Sequence, residues 1–68
     1  MTAVTLNGEP RKLPPRATVE MAVRELGADG RGLAVALDGE VIPRAEWAST
    51  EVREGQQLEV LRAVQGGR

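Results

Sequence analysis

The chain has 68 residues, nine Lys or Arg against ten Asp or Glu for a net charge of −1, no cysteine, no histidine and a single aromatic residue, Trp47. That length holds one domain with one core, and the missing Cys and His remove disulfides, a thiol nucleophile and the commonest general base and metal ligand. Balanced charge with one aromatic offers nucleic acid neither a basic groove nor a stacking platform, and no apolar run or secretory h-region points to a membrane, so the expected setting is the cytoplasm.

The first element is a hairpin. In "AVTLNGEPRKL", Val4 and Leu6 alternate with Ala3 and Thr5, and Asn7-Gly8 supplies two residues that tolerate positive φ. Pro10 lacks an N–H and suits an edge strand, with Leu13 as the inward residue before Pro14-Pro15 ends the run. "TVEMAVRELG" follows with Val19, Ala22, Val23 and Leu26 on one helical face, Thr18 as N-cap and Gly27 at the left-handed position beyond the end. Glu20 and Arg24 lie one turn apart as a favourable pair.

Gly27, Gly30 and Gly32 mark a flexible connection. It precedes a strand and opens no helix, so it is not read as a phosphate-binding loop. In "LAVAL", Leu33, Val35 and Leu37 point one way and Ala34 and Ala36 the other. Asp38-Gly39 turns the chain into the short strand "EVI", closed by Pro43. "PRAEWAS" has proline at a first helical position and room for a turn or two, with Trp47 pinning it to the body; a ligand-stacking tryptophan is the sharper alternative. A turn at Gly55 leads into the last strand, which carries Leu58 and Val60 inward. The order is strand, strand, helix, strand, short strand, strand: an α+β layer in which one main helix covers one face of a mixed sheet.

The same alternation leaves Leu61 and Ala63 outward beside Ala34 and Ala36, a small apolar surface next to the closing "AVQGGR". Such a patch marks a partner site. The surface expected to dock partners is Leu61, Ala63, Val64 and Gln65 together with Ala34 and Ala36.

The element order, the length and the Gly-Gly pair resemble the β-grasp, ubiquitin-like fold. The run "VALDGEVIPRAEWASTEVREGQQLEVLRAVQGG" closely resembles the ThiS family, the sulfur carriers of thiamin biosynthesis, which has equivalents of "NG", "PRAEW", the "EGQ" turn and "AVQGG". The similarity covers Val4 to Gly67, and "PR..W" separates it from the small subunit of molybdopterin synthase. The resemblance implies a β-grasp domain over residues 1–64 and a flexible Gly-Gly tail over 65–68. It also implies that the working group is the Gly67 carboxylate, with Gly66 beside it. A ThiF-like adenylating enzyme would spend ATP to convert it to an acyl-adenylate, a persulfide donor would supply sulfur to give a thiocarboxylate, and thiazole synthase would take the sulfur. The chain itself would be a co-substrate and not an enzyme, monomeric when free, with no stably bound cofactor and no metal.

The residue types suit that chemistry. Glycine leaves the acyl carbon unobstructed and lets the tail adopt angles barred to other residues in a narrow channel. Arg68 departs from the family's Gly-Gly ending, and its removal is expected before activation. The alternatives are the molybdopterin synthase small subunit or another ubiquitin-like carrier or modifier, and a plain interaction module with a passive tail.

Overall fold

The computed structural model describes residues 1–27 and 32–62. Its strands are β1 (Thr2–Leu6), β2 (Glu9–Leu13), β3 (Leu33–Leu37), β4 (Glu40–Ile42) and β5 (Gln57–Arg62), with one α-helix, α1 (Val19–Glu25), and a 3-10 helix at Arg44–Ser49. The strands form one sheet in the order β2-β1-β5-β3-β4. β1 and β5 are parallel and every other pair is antiparallel, so the sheet is mixed, as the element order predicts.

Both hairpins turn on the residues read as their signals. Asn7 (φ 51°) and Gly8 (φ 82°) join β1 to β2, and Asp38 (φ 50°) and Gly39 (φ 84°) join β3 to β4. Two successive positive φ angles define the turn whose twist matches the strands it connects. Pro10 sits in β2, an edge strand, where its missing N–H leaves no interior ladder incomplete.

α1 begins after Thr18, whose Oγ1 accepts the Met21 N–H at 3.3 Å. It ends with Gly27 at φ 76°, whose amide donates to the Arg24 carbonyl. Seven residues are too few for a helix to persist alone. What holds it is its buried face of Val19, Ala22 and Val23, with Leu26 packed at the rim. Glu20 and Arg24 meet at 4.0 Å on the solvent side, a pair worth only tenths of a kcal/mol.

Under the helix, Val4 and Leu6 from β1, Leu13 from β2, Val35 and Leu37 from β3, and Leu58 and Val60 from β5 are all buried. The single parity expected in each strand is therefore the observed one. Two core residues carry no periodic signal in the sequence, Ala17 and Val52. Each is an isolated apolar residue in an irregular segment. The two segments are stitched together by Val52 N–H to Ala17 O at 2.8 Å and Val19 N–H to Thr50 O at 2.9 Å.

Trp47 pins the 3-10 helix to the core and is 4% exposed. Its indole N–H donates to the Ile42 carbonyl at 2.9 Å, and the Arg44 guanidinium lies 5.0 Å from the ring centroid. A ring so enclosed has no face for a ligand, which decides between the two readings of this residue. Pro43 differs from expectation by one position. Its ψ of 145° is extended, so it precedes the first helical residue, Arg44.

Gly32 leads directly into β3, while Gly30 lies outside the described residues. Among the described residues no helix is long and apolar enough to cross a membrane.

Leu58 is fully buried at the centre of the middle strand. Leu58→Ala is expected to lower the unfolding free energy by about 2–5 kcal/mol, because the rigid surroundings of a buried leucine collapse only partly into the space left. Chemical denaturation checks this, and a loss below about 1 kcal/mol would contradict the burial of this position.

Candidate functional site

β5 leads into the Gly-Gly segment, so the geometry of the site begins with what fixes β5. It is gripped at its start and in its middle by the first residues of the two hairpin turns. At the start, Gln57 N–H donates to Asp38 Oδ1 at 2.8 Å, Gln56 Nε2 donates to Asp38 Oδ2 at 3.1 Å, and Asp38 N–H donates to the Gln57 carbonyl at 2.7 Å. In the middle, Asn7 N–H donates to the Leu58 carbonyl at 2.9 Å, Val60 N–H donates to Asn7 Oδ1 at 2.7 Å, and Asn7 Nδ2 donates to the Val60 carbonyl at 3.3 Å. The turn that feeds β5 is closed by Arg53 N–H to Gln56 Oε1 at 2.7 Å.

The sheet has an open face opposite α1. Register places Leu61 across from Ala34, Glu59 across from Ala36, and Ala36 across from Val41. Leu61 is 61% exposed and Val41 71%; Ala34 is exposed and Ala36 half-buried. Leu61, Ala34 and Ala36 therefore stand on the solvent side, where the alternation puts them. Val41 joins them and was not singled out in the sequence. The signal was present, because Ile42 inward in "EVI" sends Val41 outward.

The patch takes up part of the open face. Glu59 interrupts it on β5, and beyond it Gln57, Thr5 and Lys12 alternate with the smaller apolar Ala3 and Pro10. What remains is an apolar corner on β5, β3 and β4. Ala63, Val64, Gln65, Gly66, Gly67 and Arg68 lie outside the described residues. β5 reaches Arg62 with Leu33 as its partner, which brings the chain to the corner where Leu61 and Ala34 lie.

Chemically, the described surface offers docking more readily than catalysis. Among the described residues there is no group of three or more Asp or Glu placed to hold a metal ion. Among the described residues, ion pairs such as Arg11 with Glu9 at 3.7 Å lie at the surface. An apolar corner beside an outgoing strand can seat a partner that works on the segment beyond it.

Known proteins resemble this chain in sequence and in fold. The profile of the ThiS family matches residues 4–67. The sulfur carrier protein ThiS of Thermus thermophilus is 38% identical over 64 residues, which is 94% of this chain and 98% of that protein. A thiazole synthase of Paramagnetospirillum magneticum is 36% identical over 64 residues, again 94% of this chain, but the chain spans only 20% of that enzyme. In three dimensions, the crystal structure of a thiamine biosynthesis protein (ThiS) from Geobacter metallireducens matches with a TM-score of 0.80 at 29% identity, covering 97% of this chain and 100% of the other. The fold is therefore the β-grasp fold of that relative, and the chain belongs to the ThiS family.

Proposed function

We propose that the chain is a sulfur carrier of thiamin biosynthesis whose reactive group is the Gly67 carboxylate, and that it acts as a protein co-substrate. The observation that carries this reading is the reach of the family match, which extends through the sheet and on to Gly67. The thiazole synthase relative favours the thiamin branch over the molybdopterin one.

A carboxylate resists attack by sulfur because its oxygen is a poor leaving group. A ThiF-like adenylating enzyme with ATP would remedy that. One carboxylate oxygen of Gly67 attacks the α-phosphorus, pyrophosphate leaves, and the acyl carbon now carries AMP. The terminal sulfur of a cysteine persulfide on a donor protein displaces AMP, and a thiol then cleaves the S–S bond to leave a thiocarboxylate. Thiazole synthase is the acceptor. The need for ATP places the work in the cytoplasm, and neither metal nor bound cofactor is required of the carrier itself.

Division of labour follows from the energetics. Ordering the tail in a partner's channel costs on the order of 1–2 kcal/mol per residue. Docking of the folded body must offset that cost, and the corner made by Leu61, Ala34, Ala36 and Val41 is the surface that fits. Ala63, Val64 and Gln65 would extend the contact toward Gly66 and Gly67.

Two outcomes are expected. Leu61→Asp should leave the unfolding free energy within about 0.5 kcal/mol, since Leu61 is exposed. The same change should weaken binding to the adenylating enzyme about tenfold or more, as a charge is desolvated without a partner. Titration calorimetry reads the second effect, and unchanged affinity would remove the corner from the docking surface.

The second concerns Arg68. Adenylation beyond Gly67 would move the acyl carbon by about 3.3–3.6 Å per added residue of extended chain and would carry the arginine side chain into a channel suited to glycine. With the same adenylating enzyme, ATP and sulfur donor, a chain ending at Gly67 should form thiocarboxylate detectable by mass, and one ending at Arg68 should not. Equal conversion with Arg68 retained would contradict Gly67 as the acyl end.

A further inference from the structure

We infer that Asn7 is a positioning residue for the C-terminal acyl group, acting through the main chain of Val60; this rests on the carrier reading above. The parallel pairing of β1 with β5 is short. It registers Thr5 with Gln57 and Leu6 with Leu58, and the next residue of β1 turns away into the hairpin. In a parallel ladder, the residue whose N–H reaches the Leu58 carbonyl would use its own carbonyl to accept from the Val60 N–H. Asn7 makes the first bond at 2.9 Å. Its backbone, at φ 51°, has left the strand conformation, and the side chain takes over. Oδ1 accepts from Val60 N–H at 2.7 Å and Nδ2 donates to the Val60 carbonyl at 3.3 Å. The carboxamide thus stands in for one more peptide unit of β1.

Residue type supports the assignment. Asn, Asp and Gly all suit the first position of this turn. At Asp38, the equivalent position of the other hairpin, the side chain meets only N–H donors, from Gln57 and Gln56. An acceptor-only carboxylate satisfies those. At position 7 the side chain faces both an N–H and a carbonyl, and of the three residue types only asparagine supplies donor and acceptor together.

Among the described residues, Asn7 is what holds Val60 from the β1 side, while β3 holds β5 from the other side as far as Arg62. Leu61 and Arg62 are paired with β3 in any case, so removing the carboxamide lengthens the stretch of β5 held from one side by one residue, Val60. That added freedom is passed to the segment that must be ordered when the tail enters a partner's channel. Freeing the backbone of one residue corresponds to a factor of about ten in the productively placed fraction. Leu61 keeps its partner Ala34 on β3, so the corner that docks the body stays in place and the effect falls on the step after docking.

The test uses chains ending at Gly67, unsubstituted and as Asn7→Gly and Asn7→Asp, with the adenylating enzyme, ATP, the persulfide donor and a thiol reductant. AMP and pyrophosphate formation gives kcat and KM for the carrier, and amide hydrogen exchange at Val60 reports the clamp. Asn7→Gly keeps the turn and removes the side chain; it should raise Val60 exchange and lower kcat about tenfold, with KM changed less than about threefold. Asn7→Asp keeps the acceptor but sets a charge against the Val60 carbonyl, and should show a kcat loss of similar direction. A purely structural role would instead lower stability and leave kcat unchanged at a temperature where every variant is folded. Unchanged kcat in Asn7→Gly overturns the positioning role alone. Absence of any reaction with the unsubstituted chain overturns the carrier reading together with it.

Discussion

The middle strand of the sheet has a full-length neighbour on one side and a short one on the other. β3 accompanies β5 from Leu58 to Arg62, but β1 leaves after Leu6. Placing β5 at the centre is what buries Leu58 and Val60 beneath α1, and its last residues run past the end of β1. The two turn residues Asn7 and Asp38 reconcile these demands, each giving β5 one last backbone N–H and then side-chain atoms where its backbone turns away. An individual hydrogen bond of this kind is worth only about 1 kcal/mol net. Its value lies in where it acts, at the start of the strand and where β1 leaves it.

The rest of the architecture follows from one-sided cover. α1 and the 3-10 helix carrying Trp47 sit beside each other on the same layer, and the buried residues of four strands face them. The opposite face is left to solvent, mostly polar but with an apolar corner where β5, β3 and β4 meet. On the carrier reading proposed above, the apolar corner beside the outgoing strand serves recognition and the chemistry is left to a glycine with no side chain.

Much of this was legible in the residues, and the reasons are physical. Val4, Leu6, Val35, Leu37, Leu58 and Val60 share one parity per strand, so the covered face is legible from alternation alone. Asn7-Gly8 and Asp38-Gly39 name their own turn type, and Thr18 and Gly27 name the limits of the helix. What alternation cannot carry is tertiary convergence in irregular segments. Ala17 and Val52 are buried because their two loops exchange backbone hydrogen bonds, a fact no local pattern encodes. The clamp of Asn7 on Val60 joins residues 53 positions apart, so the sequence shows a turn and not the grip that the turn makes possible. Parity likewise tells which face a residue takes, not which neighbour it meets there, as with Glu59 beside Ala36.

The central claim is that the working group of this chain is the acyl carbon of Gly67. Intact-mass analysis of the protein isolated from cells growing without external thiamin tests it most directly, because one spectrum reports both the terminus and its chemistry. The expected result is a chain ending at Gly67, part of it with one carboxylate oxygen replaced by sulfur. A population ending only at Arg68, with an unmodified carboxylate under those conditions, would contradict it.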